Sequence, residues 1–350
     1  MVFGGARPLA AALLVIALGL PIGVAEAQTP PPALGPCADP CQRPDGRIRL
    51  RSEAVAIGDG IYNWDGLGQT RVALVPREGR ARFVVRAEND GNGIDDLVVQ
   101  GTRNTTNFGI RYYVGDQDVS ARVRNGIFRF ADVGPGQHRA LNVEVRANPS
   151  APLRSKVIVR VALRSGTDGT LRDRVKAVVY RSQGVETLIE GRPFTGQATA
   201  ERWADDQEAS ARFVLNAALY WELAPARGIR PEVAYAQSAK ETAYGNFGGV
   251  IDASFHNPCG LKTTTGGDND DPNAHMRFVN WRQGITACID HLGLYAGAPG
   301  YPRTSTPDPR HFASIYATAP TVERLGGHWA PDPDYGRSIV RDYLNPLLGS

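Results

Sequence analysis

Hydrophobic and polar residues alternate along much of the first half of the chain, as they do in β-strands with one buried face. Residues 80–88, 141–146 and 157–163 each carry apolar side chains at every second position. Turn-forming residues separate such runs, for example Asn89-Asp90-Gly91 and Val133-Gly134-Pro135-Gly136. No helical period is present from about residue 48 to about residue 182. The pattern predicts an antiparallel β-sandwich of immunoglobulin-like type over residues 48–182.

The period changes to that of a helix from Thr199 onward. Apolar residues then recur at steps of three and four, at Trp203, Ala211, Val214, Ala217 and Ala218. A second helix is predicted to begin at Pro231, which suits a first-turn position, and to stop at Gly245. The chain therefore divides into the sandwich, an interdomain linker over residues 183–198 and a mainly helical domain over residues 199–350.

The N-terminal residues have the sequence of segments that is typical of a secretory signal peptide. Arg7 precedes an apolar run, Leu9 to Leu20, and the small-residue sequence Ala25-Glu26-Ala27 follows it. A membrane anchor is the alternative, but it needs about 20 apolar residues with few breaks, and Gly19 and Pro21 interrupt this shorter run. We expect cleavage after Ala27, a Pro-rich tether over residues 28–47, and a secreted or cell-wall-associated protein with no membrane span.

The total of 350 residues and the 42% hydrophobic content suit a globular chain of two domains. Residues 28–199 hold 25 basic against 18 acidic residues, a net charge of +7, whereas residues 200–350 hold 13 against 17, a net charge of −4. Neither half has the clustered basic stripe of a nucleic-acid binder. The basic sandwich suits either a spacer or a module that attaches to anionic wall polymers.

The four cysteines form a near pair, Cys37 and Cys41, and a distant pair, Cys259 and Cys288. In an oxidising compartment, two local disulfides are the simplest of the three possible connectivities. A metal site at Cys37 and Cys41 lacks a neighbouring Cys or His to complete the ligand set. Closing the 259–288 loop would stabilise the fold by about 3 kcal/mol.

One face of the second predicted helix carries candidate chemistry. Gln237, Glu241 and Tyr244 are spaced i, i+4 and i+7, so they are expected to project together. The helix macrodipole disfavours a negative charge at a helix C-terminus, and partial burial would further bias Glu241 towards its protonated form, the state that a general acid needs. On spacing alone, however, a solvated surface glutamate is the commoner case.

Four motifs follow one another in the C-terminal half: AQSAKETAYG (236–245), HNPCGLK (256–262), FVNWRQGI (278–285) and WAPDPDYG (329–336). In this order they resemble the bacterial glucosaminidase family of peptidoglycan hydrolases, glycoside hydrolase family 73. The resemblance implies a small lysozyme-like α-domain with a β-hairpin lobe that cuts peptidoglycan glycan strands after N-acetylglucosamine. The sandwich segments GIYN (60–63), GQT (68–70), AENDGN (87–92), DD (95–96) and VGPG (133–136) look like a module found in many bacterial exported proteins.

The resemblance also implies roles for individual residues. Glu241 matches the general acid, Asn257 to Lys262 match an Asn-x-x-Gly-x-Lys element, and Tyr335 matches an aromatic residue that lines the cleft. Tyr244 and Trp281 are weaker candidates for sugar contact, and core packing explains Trp281 equally well.

The chain departs from the family in the hairpin, where TTTGGDNDDP (263–272) replaces a region that in some members carries a second acidic catalyst. Asp268, Asp270 and Asp271 are all candidates for it. An EF-hand is excluded, because Asn273 and Val279 stand where its glycine and glutamate belong. The five histidines of this half lack the spacing of a zinc hydrolase. No metal or other cofactor is therefore expected.

The sequence thus predicts an exported endo-β-N-acetylglucosaminidase whose partner is the glycan strand of peptidoglycan. A muramidase or a lytic transglycosylase would use a similar helical glutamate and is the first alternative. A non-enzymatic wall-binding or adhesion protein is the second.

Overall fold

The structure is a computed structural model that describes residues 41–153, 155–182, 184 and 186–350. The predicted signal peptide and most of the predicted tether lie outside the described residues. Within these described ranges, ten strands precede the main helices. They are β1 (Pro44–Leu50), β2 (Thr70–Val75), β3 (Arg80–Asn89), β4 (Asp95–Gly101), β5 (Phe108–Val114), β6 (Gln117–Asp118), β7 (Phe128–Val133), β8 (His138–Ala147), β9 (Lys156–Ser165) and β10 (Arg172–Arg181).

The strands form two five-stranded sheets, ordered β1-β3-β8-β5-β6 and β2-β10-β9-β4-β7. The alternating apolar residues of both sheets meet in one hydrophobic core, which includes Phe83, Val85, Leu141, Val159 and Val175. The predicted two-sheet architecture is therefore present in the β-rich half of the chain.

Three details of this half differ from the prediction. Strand β2 runs parallel to β10, because the long segment between β1 and β2 lets the chain enter the second sheet from the other end. A one-turn helix, α1 (Ser120–Arg124), buries Val123 but is too short to show a helical period in the sequence. Strand β1 begins at Pro44, inside the range predicted to be tether.

The C-terminal half contains the helices α2 (Gln197–Asp206), α3 (Ala211–Leu223), α4 (Pro231–Thr242), α5 (Trp281–Ala296), α6 (Tyr335–Ile339) and α7 (Asn345–Gly349), with a π-helical turn at Val340–Leu344. They enclose a second core, in which Trp203, Tyr220 and Tyr235 are among the largest buried side chains. Helix α4 is buried over most of its length, and it begins at Pro231 as predicted. In the described part of the chain, no helix is both long and apolar enough to cross a membrane.

The segment predicted as an interdomain linker is bound to the helical unit. Leu188 forms a β-bridge with Thr321, and Glu190 forms one with Ile229. Beside it, the Tyr180 hydroxyl on β10 donates to the carbonyl oxygen of Ala317 at 3.1 Å. The two halves are thus joined by direct contacts as well as by the chain.

Candidate active site

Helix α4 presents two of the predicted residues one turn apart, near its C-terminal end. Gln237 is buried, whereas Glu241 is partly exposed. Burial raises the pKa of Glu241 above the ordinary glutamate value, although the hydrogen bond from Tyr335, the charge of Lys240 and the nearby Trp329 indole act in the opposite direction. A glutamate that keeps its proton to a higher pH is suited to general acid catalysis.

Tyr335 connects these two side chains although it lies 94 residues beyond Glu241. The Gln237 Nε2 amide donates to the Tyr335 hydroxyl oxygen at 3.0 Å, and that hydroxyl donates to Glu241 Oε1. Burial, and then the nearby Glu241 carboxylate, raise the pKa of Tyr335 well above its ordinary value. The phenol therefore remains a donor, and the three groups form one directed hydrogen-bond chain.

The backbone around Tyr335 fixes the position of this phenol. Tyr335 is the first residue of α6 and is buried, with 5% of the residue exposed. A Cβ on the next residue, Gly336, would lie 1.9 Å from the carbonyl oxygen of Val322. Only glycine permits this close approach, so Gly336 lets the helix start pack against the 322 segment and directs Tyr335 towards α4.

A second backbone segment, residues 256–262, approaches the Glu241 carboxyl from another side. A Cβ built on Gly260 would lie 3.4 Å from Glu241 Oε2. Asn257 is fully buried, and its side chain donates to the carbonyl oxygens of Leu261 and Met276 and accepts from the Leu261 amide. In this structure Asn257 shapes the loop with hydrogen bonds that close it on itself. Direct substrate contact by Asn257 stays a prediction.

The loop is held against α5 by two further features. Cys259 and Cys288 form a disulfide, as expected, across a sequence separation of 29 residues. A Cβ on Gly284 would lie 1.8 Å from the His256 carbonyl oxygen, so glycine is required for α5 to pack this closely. The predicted Cys37–Cys41 pair involves a residue outside the described part of the chain.

Removing the Cys259–Cys288 disulfide should destabilise the protein and loosen the loop beside Glu241. For the double variant Cys259→Ala/Cys288→Ala, we expect the melting temperature of the helical half to fall by about 6–12 °C, the equivalent of about 3 kcal/mol of loop-closure entropy. Calorimetry of the full chain measures the shift. Two alkylatable thiols at these positions in the native protein would contradict the pairing.

The predicted β-hairpin lobe is reduced to a single bridge between Lys262 and His275, around an irregular loop. The predicted hairpin is wrong because Gly266, Gly267 and the Asp-rich run disfavour regular strands. Lys262 Nζ donates to the Gly267 carbonyl oxygen within this loop.

The three candidate carboxylates of the loop, Asp268, Asp270 and Asp271, are all exposed. Asp271 caps a short 3₁₀ helix, Pro272–Ala274, by accepting from the Asn273 amide at 2.8 Å. None of the three forms an ion pair with any described residue. A positioned catalytic base normally has its orientation fixed by packing or hydrogen bonds, and Asp268 and Asp270 lack this support.

Tyr244 does not share a face with Gln237 and Glu241, which corrects the helical spacing argument. Helix α4 ends at Thr242, and Ala243 and Tyr244 both have left-handed backbone conformations, with φ of 46° and 56°. The turn directs the Tyr244 ring towards Trp203, at 5.4 Å between centroids.

Trp281 begins α5 and is partly exposed. Its ring meets that of His256 edge-on at 5.4 Å and also packs against the helical core. This placement fits the packing role that the sequence left open for Trp281, and sugar contact by Trp281 stays a prediction.

Two aromatic residues near Glu241 were not predicted. Trp329 lies close enough to Glu241 to lower the pKa of that carboxyl, and its ring meets that of His291 edge-on at 5.0 Å. Tyr343 is partly exposed and close enough to Glu241 for the carboxylate charge to raise the pKa of this phenol, after burial and Asp342. Lys240 lies between the rings of Tyr335 and Tyr343, at 5.6 and 5.9 Å. Trp329 could have been found from sequence, because it opens the motif that contains Tyr335.

A separate cationic cluster lies on the outer face of the β2-containing sheet. Guanidinium groups of Arg174, Arg172 and Arg164 lie 3.8, 4.3 and 5.4 Å from the centroid of the Trp64 ring. Burial, and then the charges of Arg160, Arg172 and Arg164, lower the pKa of Arg174. The nearby Asp65 carboxylate acts in the opposite direction on the pKa of Arg174, but within the described residues none of these four arginines forms an ion pair.

Comparisons with known proteins do not assign a family to this chain. No family model matches it. An uncharacterized protein of Borreliella burgdorferi is 30% identical over 120 residues, which is 34% of this chain and 56% of that protein. The chain thus spans little more than half the length of this relative.

Solved structures resemble parts of the chain only weakly. A FixG-related protein from Vibrio parahaemolyticus has a TM-score of 0.24 at 10% identity and covers 41% of this chain and 98% of its own. The N-terminal domain of PorA has a TM-score of 0.26 at 10% identity, with 40% and 99% covered. A family 123 glycoside hydrolase from Clostridium perfringens has a TM-score of 0.23 at 8% identity, with 46% and 32% covered. At these TM-scores the similarities carry no argument about function.

Proposed function

We propose that this chain is an exported peptidoglycan hydrolase, an endo-β-N-acetylglucosaminidase with Glu241 as its general acid. The observation that carries the proposal is the hydrogen-bond chain from Gln237 through Tyr335 to Glu241, built from the helix motif and the late tyrosine motif. In this proposal the helical half is a lysozyme-like domain and the β-rich half an immunoglobulin-like module.

The geometry distinguishes the two oxygens of the Glu241 carboxyl. Oε1 accepts from the Tyr335 hydroxyl, so a proton held by Glu241 belongs on Oε2, on the side of Gly260. From there it can pass to the glycosidic oxygen of a sugar bound between the 256–262 loop and α4, as the bond to the anomeric carbon breaks. The carboxylate that remains is stabilised by the Tyr335 donor.

Two routes can complete the reaction. In an inverting route, a carboxylate about 6.5–9.5 Å from Glu241 activates a water molecule. In a substrate-assisted route, the N-acetyl oxygen of the sugar displaces the departing sugar oxygen from the anomeric carbon, and a water molecule then opens the cyclic intermediate, so configuration is retained. The exposed and weakly supported Asp268 and Asp270 favour the substrate-assisted route.

A zymogram with purified cell wall tests whether the chain is a wall hydrolase at all. A clearing band for the wild type, absent for Glu241→Gln, supports the proposal and argues against a purely adhesive protein. Absence of clearing with refolded wild-type protein over a range of pH would favour the wall-binding alternative.

The β-rich half is proposed to hold the enzyme on anionic wall polymers. Three arginines around Trp64, Arg164, Arg172 and Arg174, form no ion pair within the described residues, and their guanidinium groups suit phosphate or carboxylate groups. We expect Arg172→Ala/Arg174→Ala to weaken sedimentation with anionic wall by about 3- to 10-fold, and the difference to shrink as salt is raised.

Arg77→Ala is the matched control for this experiment, since Arg77 is an exposed arginine on the same sandwich and outside the cluster. It should bind like the wild type. Equal binding by the double variant and the control would show that the Trp64 cluster does not attach the protein to the wall.

A further inference from the structure

Three carboxylates meet at one end of the sandwich, far in sequence from the candidate active site. Asp45 on β1 stands directly opposite Glu88 on β3, and Asp90 follows β3. Each offers an oxygen atom, and these three oxygens lie within 4.8 Å of one another. Like charges directly opposite each other on paired strands are destabilising, so the arrangement needs compensation.

The protein supplies only part of that compensation. Arg47 Nε contacts Glu88 at 2.9 Å and Asp45 Oδ2 at 3.3 Å, while its Nη2 contacts the exposed Asp59 at 2.6 Å. The Tyr62 hydroxyl donates to Asp90 Oδ2 at 2.7 Å. The Arg43 guanidinium lies 5.4 Å from the centroid of the Tyr62 ring. His138 is close enough to Glu88 to lower the pKa of that carboxyl.

One buried oxygen remains without a partner. The Asp45 side chain is 0% exposed, and its Oδ1 has no hydrogen bond within the described structure. Burial, and then the neighbouring Asp173 and Asp90 carboxylates, raise the pKa of Asp45 to about 8. The Asp45 carboxyl is thus buried beside two other carboxylates with one oxygen unpartnered, a costly arrangement that a cation would relieve.

We propose that Asp45, Glu88 and Asp90 form a calcium site. All three ligands are oxygen atoms, which hard cations prefer, and because they lie within 4.8 Å of one another a single Ca²⁺ ion, with Ca–O distances of about 2.3–2.6 Å, could contact all three. Ca²⁺ also tolerates the irregular geometry of two strands and a turn better than Mg²⁺ does. The ion would tie the start of β1 to the turn after β3, and so stabilise the edge of the sandwich.

Calcium should therefore stabilise the full chain against heat. With a dissociation constant of about 0.1–1 mM, as in extracellular sites, we expect the sandwich transition to rise by about 3–6 °C at ten times that concentration. Asp45→Asn should melt higher than the wild type without calcium, because a neutral amide avoids the cost of a carboxyl group buried beside other carboxylates, and should lose the calcium response. Asp90→Asn should also lose the response.

Two control variants locate the effect. Asp116→Asn changes an exposed aspartate elsewhere on the sandwich, and Asp270→Asn changes the acidic loop of the helical half. Both should respond to calcium like the wild type. A wild-type protein that shows no shift with calcium, or an Asp45→Asn protein that keeps the full shift, would overturn the proposal.

Terbium gives a direct readout that does not depend on stability. Tb³⁺ occupies oxygen-rich calcium sites, and Tyr62 is close enough through Asp90 to sensitise its emission. We expect emission that calcium competes away, that Tyr62→Phe weakens, and that Asp45→Asn abolishes. Emission unchanged in Asp45→Asn would place the ion elsewhere. The site is independent of the proposed hydrolysis, so either proposal can fail alone.

Discussion

Replacing Glu241 with glutamine should reduce peptidoglycan hydrolysis by about 10²- to 10⁴-fold, because the amide cannot deliver a proton to the departing sugar oxygen. The fold and the binding of glycan should remain, since glutamine has the same shape and its Oε1 can still accept from the Tyr335 hydroxyl. The initial rate of muropeptide release measures the loss. Turnover close to that of the wild type would remove Glu241 from the mechanism.

Glu208→Gln is a suitable control, because Glu208 is an exposed glutamate of the same helical half. It should hydrolyse peptidoglycan at the wild-type rate. A comparable loss in both variants would indicate damage to the preparation or the fold rather than loss of a specific proton donor.

The same Glu241→Gln variant has a stability signature. Burial raises the pKa of Glu241 in the folded protein. The protonated group therefore contributes to the free energy of unfolding at low pH, and this contribution is lost as pH rises through the folded-state pKa. The glutamine variant should therefore match the wild type at about pH 4 and melt higher than it near pH 7. A stability difference of equal size and sign at both pH values would contradict the raised pKa.

Removing the Tyr335 hydroxyl is expected to have the second largest effect on hydrolysis. In Tyr335→Phe the Glu241 carboxylate loses its donor and the buried Gln237 amide loses its acceptor. A hydrogen bond to a charged group is worth about 1.5–3 kcal/mol, so the rate should fall by about 10- to 100-fold. Tyr335→Ala should lose at least as much.

The pH profile separates this effect from general damage. The Tyr335 hydrogen bond lowers the pKa of Glu241, so its removal should raise that pKa and move the alkaline limb of the activity profile to higher pH. A Tyr335→Phe enzyme that loses activity with an unshifted alkaline limb would contradict the assigned contact.

The acidic loop provides the contrast that distinguishes the two routes. Under substrate assistance, single Asp268→Asn, Asp270→Asn and Asp271→Asn variants should each retain substantial activity. If one of them is as inactive as Glu241→Gln, and NMR of fresh product shows the inverted anomer, that aspartate is the base and the substrate-assisted route is wrong.

Local sequence signals predict the helices and strands. The four ordered motifs predict which residues, far apart in sequence, belong to the candidate active site. Pro231 and the apolar period were enough to place α4, because helix starts depend on a few neighbouring residues. The contact between Glu241 and Tyr335 joins positions 94 residues apart, so no local pattern contains it. Only the resemblance of the helix motif and the late tyrosine motif to one family indicates that Glu241 and Tyr335 belong to the same cleft.

Features that depend on backbone conformation or long-range pairing could not be predicted. The left-handed turn at Ala243 carries Tyr244 away from the helix face, and alanine gives no signal for such a turn. The parallel pairing of β2 with β10 joins strands about 100 residues apart in sequence. The pairing of Asp45 with Glu88 depends on the register of β1, a strand whose start was predicted to be tether.

Mass spectrometry of a muropeptide digest tests the central claim most directly. Purified peptidoglycan treated with the wild-type chain should yield fragments with new reducing N-acetylglucosamine ends, and the Glu241→Gln chain should yield almost none. Anhydro-muramic products, or reducing muramic acid ends, would instead identify a lytic transglycosylase or a muramidase and contradict the account.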